Sequence, residues 1–239
     1  DVIEYYPNQK IRKKLNKLGL EIVGDISWPE HVGMFTIPIT VAKKLGIGLI
    51  LWGENSQNEY GGPLHSINSD RLDRRWLEEF GGMNGLRVED LINSYGFKKK
   101  DLLPYIYEKK PNKIIGYFLG HFFPWDGKKN AEIAKKKNFK YHHKIVEGTC
   151  VKNENLDNYQ TGIHDYFKYL KYGFGRTTDI VSLMLRRKEI SRSQGIYLIK
   201  KYDGKYPKEY LDKPLKKILH DIDMTIERFN EICNQFTNP

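Results

Sequence analysis

Leu49-Ile50-Leu51-Trp52-Gly53-Glu54-Asn55-Ser56-Gln57-Asn58-Glu59-Tyr60-Gly61-Gly62 is the stretch on which the reading of this chain turns. The apolar run Ile47–Trp52 has the length of a buried strand. It breaks at Gly53 into a loop with two carboxylates, several amides and a double glycine. Buried strands that open into acidic, glycine-rich loops are where α/β enzymes place polyphosphates and metals. An ordinary strand followed by a polar turn accounts for the same residues, so the stretch alone leaves both readings open.

Working outward toward the N-terminus, Val2–Tyr6 reads as a short strand ending at Pro7. Asn8 can cap a basic helix through Leu18, with Ile11, Leu15 and Leu18 at helical spacing. Ser27 is a good N-cap for a helix toward Leu45, with Pro29 and Glu30 in its first turn. Pro38 is expected to kink or divide that helix, and Gly46 to end it. Strand, helix, helix, strand is part of an α/β unit with a parallel sheet.

Toward the C-terminus, Asp70–Phe80 and Val88–Ser94 look helical, and Lys113–Phe123 reads as a further strand in which Gly116 and Gly120 permit close backbone approach. Pro124–Gly127 is a turn and Lys128–Asn138 a basic helix. From Thr161 the pattern is all helical, over 161–173, 177–187, 191–203, 208–220 and 225–236. Ser191 with Gln194 forms a capping-box pattern, and Thr225 can cap the last helix. The chain therefore divides into an α/β portion, 1–150, and a helical C-terminal region, 151–239.

The 239 residues suffice for one large domain, or one domain with a helical extension. No apolar run approaches the ~20 residues that span a bilayer, and no secretory leader pattern is present. Cys150 and Cys233 form no CxxC pair, which fits a reducing, cytoplasmic setting. The histidines show no zinc-ligand spacing, and His142-His143 read as surface residues. A net charge of +10 suits an anionic partner such as a nucleotide, sugar nucleotide or nucleic acid, or serves solubility alone.

The helix from Thr161 carries useful arithmetic. At about 100° per residue, Ile163, Tyr166, Phe167 and Leu170 fall on one apolar stripe. His164, Lys168 and Lys171 share a narrow side face, and Arg176 follows at the start of the next helix. Converging Lys168, Lys171 and Arg176 suit a leaving pyrophosphate. A solvated basic flank explains them equally well.

SWPEHVGMFTIP (27–38), LILWGENSQNEYGG (49–62), FFPWD (122–126), KKYDGKYPKEYL (200–211) and above all NLDNYQTGIHDYFKYLKYGFGRTTD (155–179) together resemble the N-acetyl sugar amidotransferase family. The resemblance covers almost the whole chain. It implies a PP-loop ATP pyrophosphatase fold, similar to the adenine nucleotide alpha hydrolases. Here that fold is a partial parallel-sheet domain with a helical C-terminal region. The implied reaction is ATP-dependent conversion of an acetamido group on a bacterial surface sugar to an acetamidino group, through an adenylated intermediate displaced by ammonia. The implied partners are a glutaminase and a cyclase-like ammonia-channel subunit, both similar to the halves of imidazole glycerol phosphate synthase. The implied products serve lipopolysaccharide O-antigen or flagellin glycans, including pseudaminic and legionaminic acid derivatives. The implied substrate is a sugar or sugar nucleotide, with no membrane and no nucleic acid.

The Ser-Gly-Gly-x-Asp-Ser loop of that superfamily and the family's N-terminal cysteine motifs do not occur in these residues. They are expected upstream of Asp1, inside a longer gene product, and the chain by itself is expected to be inactive or severely impaired. Within the resemblance, ATP needs magnesium to neutralise its β- and γ-phosphates. Glu54 and Glu59 are the carboxylates placed to hold it, in a loop similar in layout to that of asparagine synthetases. Gly53, Gly61 and Gly62 let backbone N–H groups approach an anion. Asn55 can face sugar or ribose, and Glu59, Tyr60, Trp125 and Asp126 are candidates for sugar contact. Glu54, Lys168 and Arg176 are the expected catalytic groups, with Lys171 in the pyrophosphate clamp. His164 is either a base for ammonium or an ordinary helix-face histidine. A PP-loop tRNA-modifying enzyme and a non-catalytic basic RNA- or protein-binding module are the alternatives.

Overall fold

The computed structural model describes residues 1–53, 82–107, 114–123 and 126–238. It is mixed α/β, with a small parallel sheet and a helical C-terminal region, as the sequence pattern predicts. The chain forms two compact units: Asp1–Leu15 with Trp28–Gly127, and Asn16–Ser27 with Lys128–Pro239. Among the described residues, no helix is long and apolar enough to cross a membrane.

In the first unit the strand predicted at Val2–Tyr6 does not form. Residues 1–8 have no regular structure, and Val2, Ile3 and Tyr6 are exposed. A strand needs a ladder partner, and none of the described strands pairs with this segment. Helix α1 (Gln9–Val23) starts where predicted, because Asn8 Oδ1 accepts from the backbone N–H of Lys10 at 3.0 Å and of Ile11 at 3.4 Å. It runs past the predicted end at Leu18. Helix α2 (Trp28–Leu45) contains Pro38 and is not divided by it. Proline has no N–H for the carbonyl four residues back. Thr36 and Thr40 add bonds around that turn, Thr36 Oγ1 to Val32 O at 2.9 Å and to Pro104 O at 2.6 Å, and Thr40 Oγ1 to Thr36 O at 3.0 Å.

Strands β1 (Leu49–Trp52) and β2 (Ile115–Phe118) pair in parallel, with Leu49 opposite Ile115 and Trp52 opposite Phe118. Between them lie α3 (Val88–Tyr95), α4 (Lys99–Leu102) and a 3-10 turn, Leu103–Tyr105. The predicted helix at 70–80 lies outside the described residues. The strand predicted over Lys113–Phe123 stops at Phe118 and turns into α5 (Leu119–Phe122). Strand β1 ends at Trp52, so among the described residues those beyond Phe118 have no partner for a ladder. The pair buries one face: Trp52 and Phe118 pack on Phe35 with ring centroids 5.5 and 6.4 Å away, while Leu49 and Leu51 are exposed. A Cβ at Gly116 would lie 2.8 Å from Trp52 Nε1, so only glycine lets the indole lie across β2. Among the described residues that indole N–H has no hydrogen-bond acceptor. Trp28 is also buried but donates to Met83 O at 3.1 Å.

Helix α6 (Gly127–Lys136) is the predicted basic helix. The second unit is built from α7 (Thr161–Tyr172), α8 (Arg176–Arg186), α9 (Arg192–Tyr202), a hairpin β3 (Glu209–Tyr210) and β4 (Lys213–Pro214), α10 (Leu215–His220) and α11 (Ile226–Phe236). The capping box forms as predicted: Ser191 Oγ accepts from Gln194 N at 3.3 Å, and Gln194 Oε1 accepts from Ser191 N at 2.8 Å. Thr225 Oγ1 accepts from Arg228 N at 3.2 Å. The single helix predicted over 208–220 is wrong in its first half. Leu211 and Asp212 take left-handed φ values of 48° and 64° to turn the hairpin, and Pro214, which cannot donate, precedes α10. The apolar stripe of α7 enters the core as predicted. Ile163 and Phe167 are buried, and the Phe167 ring lies 5.9 Å from Phe229 and 5.7 Å from Phe236. Gly162 lets α7 approach the hairpin, since a Cβ there would lie 2.5 Å from the Tyr210 ring.

Candidate functional site

Because β1 and β2 are parallel, their carboxyl ends lie together at Trp52 and Phe118. Gly53 follows directly, exposed and with open space where a Cβ would stand. In open α/β sheets ligands bind outside this edge. Glu54, Asn55, Glu59, Tyr60, Gly61, Gly62 and Trp125 lie outside the described residues. Asp126 is half-buried, immediately before α6.

In the second unit the side chains of α7 and the start of α8 form a polar cluster. Asp165 lies opposite the apolar stripe of α7 yet is only 4% exposed. Arg176, the first residue of α8, reaches it with Nη2 3.2 Å from Oδ1 and Nε 3.4 Å from Oδ2. The Asp165 charge holds the guanidinium protonated well above its ordinary range. Glu154 lies in the same field: burial raises its pKa, Arg176 opposes that, and Asp165 and Asp179 add to it. A carboxyl so placed is a candidate proton carrier.

The N-terminus of α8 is closed by an internal anion. Asp203 accepts from the backbone N–H groups of Gly175 and Thr177, each at 3.0 Å, and of Thr178 at 3.2 Å. A Cβ at Gly175 would stand 2.9 Å from Asp203 Oδ1. Exposed helix N–H groups attract anions, and here the chain supplies its own.

The other predicted cations are also matched. Lys168 pairs with Asp179 and sits 4.9 Å from the Phe174 ring centroid. Lys171 donates to Val23 O at 3.2 Å; burial lowers its pKa, and Asp25 pulls it back up. His164 Nδ1 lies 3.0 Å from Oδ1 of buried Asp25, which also accepts from Ser27 N at 2.8 Å. A carboxylate on Nδ1 fixes the ring's orientation and proton, an arrangement that suits a base. Lys168 and Lys171 would take up a pyrophosphate only by loosening these internal contacts, whereas Arg176 keeps N–H donors beyond the two that bond Asp165.

A cavity of about 290 Å³ opens beside this cluster, with Asp165, Arg176 and Asp203 in its wall and Tyr166, Tyr202 and Tyr206 around it. Sequence reading misses Asp25, Glu154, Asp165 and Asp203, since each acts through a partner distant in sequence. The single local signal is Asp165 beside His164 on a helix otherwise read by its apolar stripe.

Neither cysteine is poised for nucleophilic chemistry. Burial pushes the Cys150 thiol up to about 11 and Cys233 up to about 12. Of the adjacent histidines, His143 is exposed as predicted, whereas the His142 side chain is only 14% exposed. Both face Asp212, which also pairs with Lys144 at 2.9 Å, so the group is an ion-pair cluster.

Residues 135–239 match a protein family described as LPS biosynthesis protein WbpG-like, C-terminal domain. That segment includes Glu154, Asp165, Arg176, Asp203 and the cavity. The match supports a place in lipopolysaccharide-sugar biosynthesis. No curated protein matches the chain.

Proposed function

We propose that this chain is the synthetase-type component of an amidotransferase that converts an acetamido group of a lipopolysaccharide sugar into an acetamidino group. The observation that carries the reading is the lipopolysaccharide-biosynthesis match over the segment that holds the polar cluster. The likeness of 155–179 to N-acetyl sugar amidotransferases and the parallel β1–β2 edge opening at Gly53 agree with it. An amide oxygen is a poor leaving group, and ATP with magnesium, when bound, supplies its activation. In this reading the Gly53–Gly62 loop receives the phosphates, with Glu54 and Glu59 toward the metal. His164, oriented by Asp25, would take the proton that the nitrogen sheds once ammonia has added to the activated carbon. Arg176, held by Asp165, presents its remaining N–H donors to developing negative charge. Glutamine-derived ammonia comes from a glutaminase and a cyclase-like channel partner, in the cytoplasm.

The test is disruption of the gene in its host, followed by mass spectrometry of the O-antigen sugars. An acetamidino sugar differs from its acetamido precursor by the exchange of an oxygen for an NH group. Loss of the amidine with retention of the precursor is the expected result. An unchanged amidine content would overturn the reading. Loss of a tRNA modification with intact O-antigen would instead favour the RNA-modifying alternative.

A further inference from the structure

We propose that His142, His143 and Asp212 bind a zinc ion, which fastens the β3–β4 hairpin to the segment that precedes α7. The three residues lie within the second unit, and the inference does not depend on the amidotransferase reading.

Hydrogen-bond accounting is the first argument. His142 Nδ1 lies 3.3 Å from Lys144 O, and its Nε2 lies 3.2 Å from Asp212 Oδ2. Both oxygens only accept, and a neutral imidazole carries a single proton. One nitrogen of a neutral His142 therefore aims its lone pair at an oxygen. His143 Nδ1 faces the same Asp212 Oδ2 at 3.6 Å. Two ring nitrogens on one carboxylate oxygen call for positive charge between them, either an added proton or a metal ion. With the His142 proton on Nδ1, toward Lys144 O, Nε2 is free to bind metal. A carbonyl on the far nitrogen is the usual support of a histidine ligand.

Geometry is the second argument. Zinc holds nitrogen and oxygen ligands at about 2.0–2.2 Å, so two of them at the tetrahedral angle stand about 3.3 Å apart. The observed separations of 3.2 and 3.6 Å lie on either side of that value. All three ligand atoms lie within 4.8 Å of one another. Two imidazoles and a carboxylate suit zinc and leave a fourth position for water.

Charge and support are the third. The Asp212 oxygens divide their work: Oδ1 accepts from Lys144 at 2.9 Å, and Oδ2 faces the rings. Lys144 also pairs with Glu147 at 3.0 Å and Glu209 at 2.5 Å, and Lys152 Nζ donates to His143 O at 2.9 Å. Three carboxylates against these two ammonium groups leave one net negative charge when both rings are neutral. Lys213, the next residue of the hairpin, is taken by Asp221. The backbone is held on both sides: His142 N donates to Lys152 O at 2.8 Å, and Leu211 N donates to Glu147 Oε2 at 3.0 Å. Spacing in the sequence hides the group, because Asp212 stands 70 residues from His142.

The test is titration of the full chain, stripped of metal by a chelator, with zinc chloride in a calorimeter, and with Co2+ followed by visible absorption. His143, whose side chain is 69% exposed, is replaced by Ala. Asp212→Asn is the second variant, since asparagine tolerates the left-handed φ of 64° there. Melts in metal-free buffer confirm that each variant folds. The expected result is one zinc per chain, bound at least about tenfold more weakly by each variant. At a free zinc concentration about a hundred times Kd, the wild-type melting midpoint should rise by about 5–10 °C. No binding, or binding by both variants equal to wild type, would overturn the proposal and leave a protonated histidine in the gap. A sulfur-to-cobalt charge-transfer band would place the ion on a cysteine and overturn it equally.

Discussion

Replacing Asp203 by Ala is expected to destabilise the second unit by about 3 kcal/mol. The carboxylate accepts three backbone N–H groups at the start of α8, and those of Gly175 and Thr177 are buried. A buried donor left unsatisfied costs about 1–3 kcal/mol, so two of them set a range of about 2–6 kcal/mol. Removing a carboxylate that is itself only 9% exposed returns part of its desolvation cost, which brings the figure to the lower half of that range. At about 2–4 °C per kcal/mol for a chain of this size, the melting midpoint should fall by about 6–12 °C. Gly175→Ala alone should also destabilise, because its Cβ would stand 2.9 Å from Asp203 Oδ1. Combined with Asp203→Ala the same substitution should cost far less, since the atom it meets is gone. Circular dichroism melts of the wild type, both single variants and the double variant measure this coupling. A midpoint for Asp203→Ala within a degree of wild type, or strictly additive effects, would refute the assignment of Asp203 as the internal anion of α8.

Arg176→Met should cost about 3–5 kcal/mol in urea unfolding, because it strands the Asp165 carboxylate in a buried site, and adding Asp165→Asn should recover much of that loss. Unfolded thiols ionise near 9, whereas burial holds Cys150 at about 11 and Cys233 at about 12. The unfolded chain therefore releases these protons first. Their contribution to stability should be intact below pH 9 and fall as pH rises from 9 toward 11 for Cys150 and toward 12 for Cys233, and iodoacetamide labelling of Cys150 should accelerate as pH rises from 9 to 11. Gly116→Ala should destabilise by about 1–3 kcal/mol in a thermal melt by forcing a Cβ against Trp52 Nε1, 2.8 Å away.

What was legible in the sequence was local. Asn8, the Ser191–Gln194 box and Thr225 act within three residues of themselves, so their side chains could be read as helix starts. The apolar stripe of α7 was equally readable, since one helix turn sets its spacing. Errors arose where pairing or turns decide. Val2–Tyr6 has strand-forming residues but no ladder, and Lys113–Phe123 loses its partner where β1 ends. The stretch 208–220 has helix-forming leucines and lysines, but a left-handed turn at Leu211–Asp212 breaks it. The polar cluster was half legible. Its cations stood out as a run near one helix. Their partners are 11 residues away for Asp165 and Arg176, and 139 for Asp25 and His164. No periodicity connects residues so far apart.

The close packing of Trp52 on Gly116 has a spectroscopic consequence. An indole buried on Phe35 and Phe118, whose N–H meets no acceptor among the described residues, should emit at the short-wavelength end of the tryptophan range. Trp28 is also buried but bonds Met83 O, so the two should differ in colour. Trp52 stands one residue before Gly53. In a chain carrying Trp76→Phe and Trp125→Phe, it is an intrinsic fluorophore at the strand edge. Its emission, bluer than that of the remaining Trp28, would test without any added label whether ATP binds at that edge, as proposed.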